Sequence, residues 1–356
     1  MAAGAPAEPG KTKVIEDHYR DGKVKTRREV RTLPNGKQQL HGKATEFYRD
    51  GKPAAETHYS AGKPDGPWIE WFPSGTKKGE GAFRASLKEG IEVRYYPDGT
   101  KFKESSWSSD MRNGKSSRWY SGGPLEEEAN YRQGQLHGEL KRWYRDQKPQ
   151  SLQTYQMGER HGPEVRWYAS GTKYLEAHFE HGQKSGPYHE WHPNGKPMLQ
   201  VTYKGGQRDG KALEWFEDGG KKSEGEYRNG QMHGPWAQWL EEAPHNKSAD
   251  LRYDSGAADG HQVFWFSNGT KRLEVDYVKG RREGPWSEWY ENGRRRAAGQ
   301  YVKDRPHGNT FFWYDDGKKW SVRQYEKGDK HGRFVEWDRD GKVIKSQKYA
   351  YGAPLD

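Results

Sequence analysis

Glycine recurs every 24 residues along most of the chain: Gly42, Gly66, Gly90, Gly114, Gly138, Gly162, Gly186, Gly210 and Gly234, then after one interval of 26, Gly260, Gly284, Gly308 and Gly332. Thirteen copies of one unit therefore cover about residues 42–355. A fixed period of this length marks a repeat array, not a globule. Counting the leading Gly as position 0, position 5 is aromatic in every copy, from Phe47 and Trp71 to Trp313 and Trp337. Position 6 is Tyr or Phe in ten copies, and position 17 is aromatic from Tyr59 to Tyr349, with Tyr253 two places late. Position 9 is Gly in eleven copies and position 20 in ten.

One copy reads as a β-hairpin. A first strand such as Gly284-Pro-Trp-Ser-Glu-Trp289-Tyr290 meets Glu291-Asn-Gly293, and elsewhere Pro97-Asp-Gly99 or Pro193-Asn-Gly195. Asn-Gly and Asp-Gly supply the left-handed backbone that tight hairpins demand. The returning strand alternates, as in Leu273-Glu-Val275-Asp-Tyr277, with the period of two that marks a strand. Gly or Pro interrupts every window that might hold a helix. The expectation is an all-β, elongated array of consecutive antiparallel hairpins. Each copy advances it by about 10 Å, from two strands at about 4.8 Å each.

Composition decides whether such a chain folds at all. Apolar residues are 30%, charged residues 31% and mean hydropathy is −1.34, values that alone suit disorder. The 16 Trp, 22 Tyr and 11 Phe argue the other way. Cohesion is expected from thin aromatic layers. On the first strand, positions 3 and 5 share one face and positions 2, 4 and 6 the other. The position-5 and position-17 columns should then form a buried spine. Positions 2 and 6 should form a half-exposed stripe that includes Trp68, Tyr120, Tyr168, Tyr188, Trp236, Trp286, Tyr290, Tyr314 and Phe334.

The domain reading has three parts. Residues 1–10 form a flexible tail, 11–41 a degenerate capping copy and 42–356 the array, with a break in period near 241–256. In the cap, Tyr19-Arg-Asp-Gly22 fits positions 17–20 and Leu33-Pro-Asn-Gly36 supplies a turn. The break, Glu241 to Asp250, is either a tolerated surface insertion or a docking loop.

The unit Tyr131-Arg-Gln-Gly134-Gln-Leu-His-Gly138 and its counterpart Tyr325-Glu-Lys-Gly328-Asp-Lys-His-Gly332 resemble the MORN repeat. With the trailing Trp-Tyr-x-x-Gly the resemblance is closer to the bacterial MORN-variant repeat of the YwqK type, whose members carry the label "antitoxin". The resemblance implies a twisted sheet of hairpins acting as an interaction scaffold, in a family also linked to phospholipid. The Trp-Tyr-x-x-Gly copies are also similar to choline- and cell-wall-binding repeats, which are shorter.

Chemistry is sparse. There is no Cys, which excludes disulfides and thiolate chemistry, and no apolar run of membrane-spanning length. His41, His137, His161, His233, His307 and His331 each precede a leading Gly. Copies about 10 Å apart hold them too far apart to share a metal, so a local role in the turn is expected. His178 with His181, and His189 with His192, are three apart and so point to opposite faces of a strand. Gly205-Gly-Gln-Arg-Asp-Gly210-Lys211 spells most of a phosphate-binding loop, but Ala212 replaces its Ser/Thr and the segment lies on an ordinary link. No nucleophile, base and orienter converge in any one copy. Catalytic, cofactor and metal residues are accordingly expected to be none.

Net charge is +10 and pI near 9.3, with basic pairs at Lys77-Lys78, Lys221-Lys222, Lys271-Arg272, Arg281-Arg282 and Arg294-Arg295-Arg296. They either align as a positive ridge or keep strand edges soluble. The reading is a non-enzymatic scaffold whose partner is a protein bound at the aromatic stripe. The alternative is peripheral binding of anionic phospholipid or cell-wall polymer; nucleic acid fits poorly. Compartment is open between the cytoplasm and secretion or the periplasm.

Overall fold

The computed structural model describes residues 10–355, so the expected tail lies outside them except for Gly10. The described residues form 31 strands and no helix, which is the all-β hairpin array that the period demands. They divide into two compact units. One holds the chain up to Lys173 together with Phe179–Gly182; the other holds Tyr174–His178 together with the chain from Gln183. In the first unit each strand pairs antiparallel with the next in sequence, from Thr12–His18 to Glu159–Trp167. The second unit repeats this from Gln183–Trp191 onward, except that Lys247–Asp254 pairs with both Ala257–Ala258 and Gly260–Trp265, and Lys319–Glu326 with both Asp329–Lys330 and Gly332–Trp337.

Two different turns alternate. In the copy led by Gly66, the strands Lys63–Trp71 and Lys77–Arg84 are joined through Phe72 to Thr76. The Gly75 N–H donates to the Phe72 carbonyl at 2.8 Å and the Phe72 N–H to the Thr76 carbonyl at 2.8 Å. Gly75 has φ +92°, which makes this a three-residue loop closed by a left-handed glycine. The Asn or Asp before that glycine keeps ordinary backbone in most copies. Its side chain instead accepts the N–H two residues on, at 2.9 Å for Asp98 and Thr100 and 3.0 Å for Asn292 and Arg294.

The link between hairpins is tighter. Ser60 pairs with Lys63 across Ala61 and Gly62, whose φ values are 49° and 82°. Two consecutive left-handed residues define a type I′ turn, which matches strand twist. Three copies lack the second glycine and place Ser86, Asp110 and Asp304 at φ 78°, 63° and 67°. Asp110 and Asp304 are compensated, since their carboxylates accept the Lys88 N–H at 2.6 Å and the Arg282 N–H at 2.9 Å.

The assignment of faces needs correction. Buried side chains concentrate at positions 2, 13 and 15, for example Leu140, Ala212, Leu199, Ser321, Ala129 and Val201. The position-5 column is half-buried throughout, and position 17 is half-buried except Phe179. Trp68, Tyr188 and Trp236 of the expected stripe are only 5–7% exposed. Position 2 lies beside position 15 of the neighbouring strands, and where that residue is glycine the ring fills the space. A Cβ at Gly225 would sit 2.1 Å from Trp236 Cδ2, and one at Gly81 2.9 Å from Trp68 Nε1.

The cap is also registered differently. The Gly22 N–H donates to the Tyr19 carbonyl at 3.0 Å and the Tyr19 hydroxyl donates to the Phe47 carbonyl at 2.7 Å. Tyr19-Arg-Asp-Gly22 therefore occupies positions 6–9. The insertion near 241–250 folds back: the His245 ring stacks on Phe216 with centroids 5.8 Å apart, and its Nε2 lies 2.8 Å from Asp218 Oδ2.

Replacing Ser86 by Gly should raise stability by up to about 1 kcal/mol, by relieving left-handed strain at a position with no compensating carboxylate. Gly225→Ala should lower it by about 1–3 kcal/mol through collision with Trp236. Thermal and urea unfolding of the two variants check both signs.

Candidate functional site

Both faces of the sheet carry aromatic columns, and the surrounding residues decide what each can do. On the face that bears position 5, position 11 supplies Lys or Arg to the ring of the next copy. The distances to the ring centres are 5.5 Å for Lys101 and Trp119, 5.1 Å for Lys221 and Trp239, and 5.8 Å for Lys271 and Trp289. Lys247 lies 5.9 Å from both Trp239 and Trp265, an ammonium between two rings. The same amines reach the carboxylate at position 14, at 2.8 Å for Lys77 and Glu80, 2.6 Å for Lys101 and Glu104 and 2.7 Å for Lys271 and Glu274. This face therefore sets a half-exposed Trp beside a Lys and a carboxylate at Trp119, Trp239, Trp265 and Trp289, whereas Pro, Leu or Val stands at position 11 in five copies.

The electrostatics follow. Hydrogen bonds from the Lys77 amine and the Tyr95 hydroxyl hold the Glu80 carboxyl below its ordinary value, and Lys221 with Lys211 does the same to Glu224. Burial, with Glu80 at 2.5 Å, pushes the Tyr95 phenol up to about 12.

On the other face, the residue two places before the leading Gly is a cation in seven copies. Each cation covers a position-17 ring: Lys88 on Trp107, Arg112 on Tyr131, Arg160 on Phe179, Lys184 on Tyr203, Arg208 on Tyr227, Arg282 on Tyr301 and Lys330 on Tyr349, at 4.1–5.2 Å. Sequence inspection missed this column because a bulge separates the two positions. The same side buries Glu164, which is 2% exposed and held by Arg160 at 3.0 Å, Arg166 at 2.5 Å and the Gln153 amide at 2.9 Å.

The basic pairs do not form one ridge, because their members diverge. Lys77, Lys221 and Lys271 lie on the Trp face. Lys78 and Lys222 instead reach Glu70 and Glu214, each at 3.7 Å, and Arg296 reaches Glu288 at 3.8 Å.

Of the expected stripe, Trp286, Phe334, Tyr120, Tyr168, Tyr290 and Tyr314 are half-buried. The position-6 hydroxyls are committed: Tyr120 donates to the Trp143 carbonyl at 3.0 Å, Tyr290 to Trp313 at 2.9 Å and Tyr314 to Trp337 at 2.8 Å. Tyr48, Tyr96 and Tyr144 make the same bond to the next copy, and His192 substitutes a ring nitrogen. Position 6 is thus a half-buried latch, with Arg145, Arg296 and Arg339 over the rings of Tyr120, Tyr290 and Tyr314, whereas position 2 lies on the more buried face. The two do not make one stripe.

The His column has its turn role in three copies. Nδ1 of His41, His137 and His307 accepts the N–H twenty residues on at 3.4–3.5 Å. Asp209, Asp259 and Glu283 make the equivalent bond at 2.8–3.0 Å. Gly205–Lys211 lies across a turn between two strands, as expected. Among the described residues no three His, Cys, Asp or Glu side chains already surround a common point, and no helix is long and apolar enough to cross a membrane.

Tyr120→Phe removes the latch and keeps the ring, and should cost about 0.5–1.5 kcal/mol in thermal or urea unfolding. Stability contributed by Glu80 and Glu224 is present above their ordinary value of 4.5 and is lost as pH falls through the lowered folded values. Melting temperature should fall on acidification from pH 7 to 3, and Glu80→Gln with Glu224→Gln should flatten that fall.

Three segments match the family model described as MORN repeat variant: residues 40–61, 184–204 and 208–229. No curated protein matches the chain. Solved structures that align with it include a TcdB2-TccC3-TEV crystal structure at 10% identity, covering 95% of this chain and 20% of that one with TM-score 0.17. The Photorhabdus luminescens Tc holotoxin pore aligns at 11% identity over 94% of this chain and 19% of that one, with TM-score 0.18. The chain spans about a fifth of the length of these structures.

Proposed function

We propose that the chain is a non-enzymatic interaction scaffold that binds a protein partner along the face bearing the position-5 tryptophans. The observation that supports this most directly is the half-exposed Trp beside a Lys and a Glu at Trp119, Trp239 and Trp289. Trp combines large apolar area with a polar N–H, and such residues carry most interface energy. The half-exposed position-6 rings, Tyr120, Tyr168, Tyr290 and Tyr314, border this surface at the loop ends and add area to it. The likeness to the MORN repeat variant agrees with an interaction role, and we place the chain among the YwqK-type members of that family. Residues 11–41 serve as a cap that closes the first edge of the array.

A second reading rests on charge. Residues 271–350 carry 20 Lys and Arg against 13 Asp and Glu, whereas 66–270 balance at 28 each. That excess favours an anionic lipid or wall polymer near the second half of the array.

Trp239→Ala with Trp289→Ala, in full-length protein shown to melt cooperatively, should weaken binding to an affinity-captured and re-expressed partner by about tenfold or more. Flotation with anionic vesicles at low and high salt is the counter-experiment. Salt-sensitive flotation that the Trp variants leave unchanged, with no protein partner captured, would replace the first reading by the second.

A further inference from the structure

We propose that His161 and His181 form a binding site for a late first-row divalent metal ion, Cu²⁺, Ni²⁺ or Zn²⁺, with Glu159 as third donor and water completing the coordination. In sequence the nearest histidine to His181 is His178, which the three-residue spacing sends to the opposite face; the fold brings His181 to His161 instead. The two ring centroids are 5.7 Å apart with planes inclined by 60°. Two imidazoles that share one ion at about 2.0–2.1 Å per nitrogen, near a tetrahedral angle, have centroids about 5–6 Å apart. The residues therefore already stand at ligating separation.

Three further observations converge on the same spot. His161 Nδ1 is buried without a hydrogen-bond partner, as are those of His233 and His331, whereas the equivalent atom of His41, His137 and His307 accepts a turn N–H; of the three, only His161 faces a second imidazole. A cavity of about 330 Å³ is lined by Gln156, Met157, Glu159, His161 and His181. Glu159 Oε2 lies 4.0 Å from His181 Nδ1, and both side chains are largely exposed and free to swing inward. A third donor is not yet in place, so rotation of Glu159 completes the set.

The pair is unique to one copy. Where His precedes the leading Gly elsewhere, the residue at the facing turn is Ala61, Met157, Ser255, Lys327 or Tyr351. Two imidazoles and one carboxylate suit borderline ions and disfavour Mg²⁺ and Ca²⁺, which require sets of oxygen donors. Within that divalent series nitrogen and oxygen donors bind Cu²⁺ most tightly.

Calorimetric titration of the full chain with CuCl₂, NiCl₂, ZnCl₂ and MgCl₂ tests the site. One ion per chain should bind, in the order Cu²⁺ before Ni²⁺ and Zn²⁺, with no Mg²⁺ binding. His161→Asn and His181→Asn should each weaken binding by about tenfold or more, and Glu159→Gln by less. Both Asn residues have precedent in the chain, at Asn113 and at Asn229, the latter with φ 50°, so the variants retain the turn. The metal-free melting temperature of the double variant should match that of the parent. Absence of stoichiometric binding, or binding that the double variant retains in full, would overturn the assignment.

Discussion

A sheet without a second layer has nothing to pack against, so each copy must be fastened to its neighbour within the sheet. The tyrosine at position 6 does this at one end. Its hydroxyl donates to the main-chain carbonyl of the next aromatic residue, at 2.6–3.0 Å wherever the bond recurs. The residue before the leading glycine does it at the other end, by accepting the N–H of the following turn. Both bonds join a copy to its immediate neighbour only. Stability in such an array is close to a sum of copy and interface contributions.

The same geometry explains how a chain with 30% apolar residues folds. Small residues at positions 13 and 15 of many copies, such as Gly79, Gly81, Ser105, Ala129 and Gly225, leave room on one face that large rings at positions 2 and 17 cover. Arginine and lysine then lie over those rings. Arg94 is 4.6 Å from the Trp68 ring and its stem crosses Gly79, where a Cβ would come within 2.7 Å of Cδ. The aliphatic stems supply apolar cover while the charged ends stay in water. Counting such residues as merely charged understates what they bury, and mean hydropathy carries that error.

The period and the turns were legible in the sequence because each turn requires particular residues: glycine where φ is positive, Asn or Asp where an N–H must be accepted. The faces were not. Strand parity is reset twice per copy, once where Trp71 pairs with Lys77 and Glu70 with Gly79, and again between Thr57 and Tyr59. A bulge adds a residue to one strand, so alternation counted through it assigns the following side chains to the wrong side. That is why Trp68, Tyr188 and Trp236 read as exposed, and why the cations that cover the position-17 rings went unnoticed. The pairing of His161 with His181 was hidden for a related reason. It joins residues twenty apart through a turn, and no short motif reports that distance.

In an array of near-identical copies, specific chemistry can arise only where the pattern departs from itself. The ring recurs in every copy and the latch and ion pair in many, so these explain cohesion and do little to distinguish one copy from another. Phe264 and Phe312 replace the charge usual at position 4, and Trp320 stands beside Phe312 with ring centres 5.7 Å apart. Phe312 and Trp320 help line a cleft of about 570 Å³ that also includes Tyr290 and Arg296. The same stretch holds the local excess of positive charge. An interaction surface built on repetition needs such irregular places to fix where along its length a partner sits, because identical copies would let it slide by one period at no cost.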